Sequence, residues 1–143
     1  MSRENVELVE RNYEVINSIG RTDGFVDPEE LAPDLWARLS PDFELHERPD
    51  LPDAKVYRGR DEAKEFWRKS QELFSALEWK IGEITDLGHA VIVETRVVAL
   101  GRGSDVQIEA DETDVFWFRG GEIVKLQGFP TKAQALEAAE LSG

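Results

Sequence analysis

Val106-Gln107-Ile108-Glu109-Ala110-Asp111-Glu112-Thr113-Asp114-Val115-Phe116-Trp117-Phe118 is the stretch that decides the fold. Its apolar residues recur at every second position, the period of a strand with one face in a core. Val106, Ile108, Ala110, Phe116 and Phe118 share that face with two acids, Glu112 and Asp114. Upstream, Val91, Val93, Thr95, Val97 and Ala99 alternate in the same way, and Gly101-Arg102-Gly103-Ser104 between them reads as a hairpin turn. With Arg102-Gly103 as the loop residues the apolar faces coincide, placing Val97 opposite Ile108 and Val91 opposite Asp114. The other face carries Glu94, Arg96, Gln107, Glu109, Asp111 and Thr113, which suits solvent. An ionised carboxylate on a buried face costs several kcal/mol unless it is paired. Such a residue persists where the face lines a cavity or where chemistry needs it. A bulge would instead turn both acids outward, but Phe116 and Phe118 follow Asp114 in phase.

Outward from this hairpin, residues 3–19 read as a helix, with Val6, Val9, Tyr13 and Ile16 on one stripe, Ser2 as cap and Gly20 as stop. Asp34–Leu39 reads as a short helix and Phe43–Glu47 as a strand. Arg48–Tyr57, with Pro49 and Pro52, reads as an exposed loop. Arg60–Phe74 is a second long helix, and Leu77–Leu87 a strand broken near Gly82. Gly120-Gly121 turns the chain into a strand over Glu122–Phe129. Thr131 and Gln134 form a capping box that opens a last helix through Leu141. The order predicts an α+β domain over residues 1–143, a curled, mostly antiparallel sheet with helices on its concave face. The space between is a cone suited to a small molecule.

Composition narrows the partners. With 30 acidic against 17 basic residues in 143, the net charge of −13 argues against nucleic acid and anionic membrane surfaces. The chain has no cysteine, which excludes disulfides, thiol catalysis and thiolate metal sites and fits a cytoplasmic protein. Charges recur from Arg3 to Glu14, unlike a signal peptide, and apolar runs are far short of a membrane span. His46 and His89 are isolated, so no metal site is expected.

Four segments carry a resemblance: Glu10-Arg11-Asn12-Tyr13-Glu14-Val15-Ile16-Asn17, Pro41-Asp42-Phe43-Glu44-Leu45-His46, Tyr57-Arg58-Gly59-Arg60-Asp61, and Val115-Phe116-Trp117-Phe118-Arg119-Gly120-Gly121-Glu122-Ile123-Val124. Over nearly its whole length the chain resembles the SnoaL-like branch of the NTF2-like superfamily. The resemblance implies a curved sheet, a cone-shaped pocket and a homodimer packed through the outer sheet face. It does not imply one reaction, because the superfamily includes steroid isomerases, polyketide cyclases, dehydratases and epoxide hydrolases. A sharper similarity is to ketosteroid isomerases, which combine a tyrosine, a carboxylate base and a protonated aspartic acid. The matching positions here are Tyr13, Glu47 and Asp114. The base position holds glutamate rather than aspartate, and Glu112 adds a second acid.

Each candidate has two readings. Glu47 shares a strand face with Phe43 and Leu45, so it points into the cone as a base or reaches water at its mouth. Tyr13 donates to a developing oxyanion or packs in the core. Asp114 stays protonated and donates, or forms a salt bridge or shares a proton with Glu112. Trp36, Trp67, Val93, Glu112 and Phe116 are the expected ligand-contacting residues. Trp117, on the outer face with Ile92, Val98, Leu100 and Val115, is the expected dimer contact. The expected activity is cofactor-free proton transfer on a small apolar carbonyl compound, such as isomerisation, cyclisation or dehydration. The alternative is a non-catalytic small-ligand-binding or dimerisation module.

Overall fold

The computed structural model describes residues 2–19, 24–104 and 106–141. The cap at Ser2 and the stop at Gly20 fall outside what is described of side chain or backbone there. Helix α1 (Ser2–Ile19) is followed by two single turns, α2 (Pro28–Leu31) and α3 (Pro33–Trp36). Strands β1 (Leu39–His46) and β2 (Val56–Arg58) precede helix α4 (Gly59–Leu73). Then come β3 (Phe74–Asp86), β4 (Ala90–Gly101), β5 (Gln107–Arg119), β6 (Glu122–Phe129) and helix α5 (Lys132–Leu141). The six strands form one curled sheet in the order β2-β1-β6-β5-β4-β3, antiparallel except where β1 runs parallel to β6.

The short third helix is one turn rather than Asp34–Leu39, since Leu39 already pairs with Ile123 in the sheet. The end of the expected 48–57 loop is strand β2, which pairs Tyr57 with Leu45. Strand β3 starts at Phe74, directly after α4, and its register shifts between Ile81 and Ile84, around the expected break at Gly82.

The β4–β5 hairpin keeps the expected faces but not the expected register. Val97 lies opposite Ala110 and Asp114 opposite Val93, whereas Val91 pairs with Phe116. The turn is wider than two residues: the Gly101 N–H donates to the Val106 carbonyl at 3.1 Å. Arg102 is drawn out of the turn toward the end of α4, where its N–H donates to Leu73 O at 2.9 Å and its Nη2 to Gln71 O at 2.6 Å. The slide is by two residues, an even number, so every side chain keeps its face. Gly120 and Gly121 make the tighter β5–β6 turn, with φ of 59° and 80°, values that cost glycine nothing.

The sheet has a core on each face. On the concave side Val9 and Tyr13 of α1 pack against Val91, Val93, Phe116 and Phe118. Burying one such side chain stabilises by about 1.5–3 kcal/mol. Asn17 fixes α1 across the free edge of β3: its side chain donates to Trp79 O at 2.9 Å and accepts from Trp79 N–H at 2.8 Å.

The outer face corrects one expectation. Trp117, Ile92 and Val115 are not available to a second copy. They are buried with Phe129 beneath Ala135 and Ala139 of α5. The Thr131 hydroxyl accepts from Gln134 N–H at 3.2 Å and so starts α5 at the point from which it lies back on the sheet. Small alanines let the helix approach closely enough to cover the indole.

Candidate functional site

Between α1, α4 and the concave face lies a cavity of about 450 Å³, a size typical of small-molecule sites. The α4 stripe supplies Phe66 and Trp67, which stack edge-to-face with ring centres 5.2 Å apart; Trp67 continues to Trp79 of β3 at 6.0 Å. Val97, Ala99, Ile108 and Ala110 form the apolar floor on the hairpin.

The polar end is built on β5. Alternation turns Glu112 and Asp114 into the cavity, and the Tyr13 stripe of α1 lies across them. The Tyr13 hydroxyl donates to Asp114 Oδ2 at 2.6 Å, with both residues buried. Burial holds the Asp114 carboxyl well above the usual aspartate range; Glu112 beside it pushes the same way, and the Tyr13 bond and Arg48 oppose it only in part. Asp114 is therefore held toward its neutral form, with Glu112 beside it on the same strand face. Burial, followed by the neighbouring Asp114, also raises the Tyr13 hydroxyl well above its ordinary value, so it stays protonated.

Glu112 has its own support. Arg48 Nη1 stands 3.5 Å from Glu112 Oε1, while its Nε and Nη2 bond to Asp50 at 3.0 and 2.9 Å. Across the ladder, Gly128 of β6 leaves the space in which the Glu112 carboxyl lies. A Cβ there would sit 2.7 Å from Glu112 Cδ, nearer than packed atoms approach.

Glu47 follows β1 in phase with Phe43 and Leu45 and lines the same cavity at its rim. Its Oε1 accepts from the Lys55 N–H at 2.8 Å, which closes the 48–54 loop. Tyr13, Glu47, Trp67, Glu112, Asp114 and Phe116 thus share one cavity. Trp36 and Val93 do not line it. Trp36 lines a separate space of about 40 Å³ that shares the Trp67 wall, and Val93 is packed in the core across the ladder from Asp114. His46 is bonded to Glu44 on the opposite strand face, 2.8 Å from Oε1. Sequence reasoning missed Arg48 and Gly128. Arg48 is a basic residue one position beyond Glu47, at the start of a loop. Gly128 sits in an otherwise regular strand pattern, which is the signal of a close approach. Among the described residues no cluster of three or more His, Asp or Glu is arranged to hold a metal ion, and no helix is long and apolar enough to cross a membrane.

Comparison with known proteins adds the family. The model of the SnoaL-like domain matches residues 9–126. No curated protein matches the chain. Among solved structures, a proposed SnoaL-like polyketide cyclase from Jannaschia sp. CCS1 is similar at TM-score 0.70 and 22% identity, covering 96% of this chain and 92% of that one. A protein of ketosteroid isomerase-like fold from Catenulispora acidiphila, solved with trimethylamine, aligns at TM-score 0.69 and 14% identity over 92% and 90% of the two chains. TerC, co-crystallised with polyporic acid, aligns at TM-score 0.69 and 14% identity over 96% and 98%. At these identities the likeness is one of fold.

Proposed function

This chain belongs to the SnoaL-like domain family, and we propose that its cavity binds a small, largely apolar carbonyl compound and moves a proton on it without a cofactor. The observation that carries this reading is the 2.6 Å Tyr13–Asp114 bond at the end of an otherwise apolar cavity. A neutral acid held in a dry site can turn its proton to a substrate oxygen as charge develops there. Tyr13 supports it by donating to the other carboxyl oxygen, which makes the acid a stronger donor. Glu47, at the rim, is the base that takes the α-proton and returns it elsewhere on the carbon skeleton. Trp67 and Phe116 wall the reacting carbon from water. The family neighbours solved with polyporic acid and with trimethylamine support a small-molecule role for this kind of cavity.

A second reading is a non-catalytic binding module. It is favoured by one fact: Glu47 already accepts the Lys55 N–H. Exchange of α-protons in D2O separates the two, with 2-tetralone as an enolisable probe followed by NMR. Proton-transfer chemistry predicts exchange faster than in buffer and a loss of at least about 100-fold in Glu47→Gln. Binding of the ketone with no acceleration selects the binding module. The homodimer also remains a proposal. With Trp117 internal, Val98 and Leu100 are the apolar outer-face residues left to it, and sedimentation reads it directly.

A further inference from the structure

Helix α1 carries three asparagines, and two of them are spent on the fold. Asn5 donates to Gly88 O at 3.4 Å, and Asn17 both donates to and accepts from the Trp79 backbone. Asn12 lies between them on the row of Leu8 and Ile16, where an apolar residue would complete the helix face. It is half-buried and lines the cavity of about 450 Å³. Among the described residues nothing hydrogen-bonds its carboxamide. Asn12 also borders the separate space of about 40 Å³, whose other lining residues, among them Trp36, Phe43 and Ala63, are aliphatic or aromatic. Asn12, Trp67 and Phe116 thus belong to a wall common to both spaces. A carboxamide left without a partner against apolar walls costs free energy, and a leucine at this position would avoid that cost. The small space holds about one water, which would want two to four polar partners, so an apolar group fits it better.

Resting on the small-molecule reading of this cavity, we propose that Asn12 is a specificity-determining residue. It binds a second polar atom of the ligand, apart from the Tyr13–Asp114 end, and the small space behind it takes a methyl-sized substituent next to that atom. The chemistry that fits both is a neutral carbonyl carrying a methyl group, an acetyl. Its oxygen accepts from the Asn12 side-chain N–H, and its methyl turns toward Trp36, Phe43 and Ala63. The group is neutral because Glu47, Glu112 and Asp114 already bring three carboxyl groups to the cavity, and an anion would be set against them. Asn12 and Tyr13 are consecutive on α1, and successive side chains of a helix diverge by about 100°. One helix therefore serves two parts of the cavity. A ligand held at both ends can lie only one way round, with its first carbonyl at Asp114 and its second at Asn12. Asn12 contacts the ligand in this account but moves no proton.

Calorimetric titration of the full chain with 1,4-diacetylbenzene and with 4-isopropylacetophenone tests this. The second acetyl group of the first compound is an isopropyl group of nearly the same shape in the other. Burial of apolar surface alone favours the isopropyl compound, which has no second carbonyl to desolvate. The proposal predicts the reverse, with 1,4-diacetylbenzene about fivefold tighter, as expected of one neutral hydrogen bond. Asn12→Leu should reverse the order of the two compounds. Its urea midpoint should equal or exceed that of wild type, because no bond within the protein is lost; a clearly lower midpoint makes Asn12 a structural residue and overturns the proposal. Asn12→Ala, checked for folding by circular dichroism, should also lose the preference and serves if the leucine variant does not fold. Ala63→Val, which narrows the small space, should cut the preference by at least about half; an unchanged preference overturns the placement of the methyl group there. Equal binding of both compounds by wild type, or preference for the isopropyl compound, overturns the proposal and leaves the small-molecule cavity standing. A preference for 1,4-diacetylbenzene that survives in both Asn12 variants overturns the assignment to Asn12. Binding of neither compound overturns the proposal alone if 2-tetralone still binds, and the cavity reading with it if 2-tetralone does not.

Discussion

Strand β5 carries acids on both faces, and they behave in opposite ways. On the outer face Glu109 and Asp111 stand in water and share Arg96, at 2.8 and 2.7 Å. On the inner face Asp114 is buried against Tyr13, and Glu112 lies beside it over Gly128. Arg96 holds the Glu109 carboxyl below its usual range, whereas burial lifts Asp114 well above its own. Residue type and strand are the same, so the face alone decides. The outer pairs are a solvated surface of small energetic weight. The inner pair is Asp114, held toward its neutral form by burial, beside Glu112, and both line a cavity large enough for a ligand. A reading by composition would have pooled all four as surplus surface acid.

The largest effect that sharpens this contrast comes from the covered part of the outer face. Trp117→Ala should cost about 3–5 kcal/mol in urea denaturation, the usual loss for an aromatic core residue. A loss below about 1 kcal/mol would make α5 a loose cover and return the indole to the surface, where the sequence reading put it. Next is Gly128→Ala, expected to cost about 1 kcal/mol, the low end of overpacking, because the atoms its Cβ would meet are the movable carboxyl end of Glu112, which it would displace. The same change should also weaken binding of cavity ligands, which calorimetry reads. An alanine there that leaves both stability and binding intact removes the cradle from the account.

The third effect is one of slope. Asp114 has a folded pKa above its unfolded value of about 3.9, so the native state holds its proton longer. The stability it contributes is complete below the unfolded pKa and is lost as pH rises through the folded one. Asp114→Asn keeps an acceptor for Tyr13 and stays uncharged beside Glu112. It should match wild type within about 1 kcal/mol at neutral pH and flatten the decline above pH 4. A strongly destabilised asparagine variant makes Asp114 an ionised structural partner instead. The smallest effect is on the outer face. Arg96→Gln should leave the urea midpoint essentially unchanged at physiological salt. The sign there is reversed: with its folded pKa lowered, Glu109 contributes above its unfolded value and loses that contribution as pH falls through the folded one.

The sequence made some of this legible. Alternation along β4 and β5 put Glu112 and Asp114 on the inner face, and that survived a register error because the slide was by two residues. The α1 stripe brought Tyr13 to the same place. What could not be read arises from long-range geometry. The parallel pairing of β1 with β6 joins segments about 80 positions apart, and no local pattern encodes it. Trp117 looked like a free aromatic because α5, the helix that covers it, does so with alanines, which give little apolar periodicity. Arg48 lies in a stretch that reads as solvated loop, and only the bend of that loop brings it to Glu112. Val93 was placed in the ligand wall because it shares the face of Asp114, but that face is filled by α1 at one end and open at the other.

The most direct test of the central claim is a carboxyl-carbon NMR titration that follows Asp114 and Glu109 in the same sample. The account predicts that Asp114 keeps its proton well above the ordinary value of about 3.9, while Glu109 loses its proton below the normal glutamate range. If Asp114 titrates together with the surface carboxylates, the neutral acid at the end of the cavity does not exist, and the site built on it is contradicted.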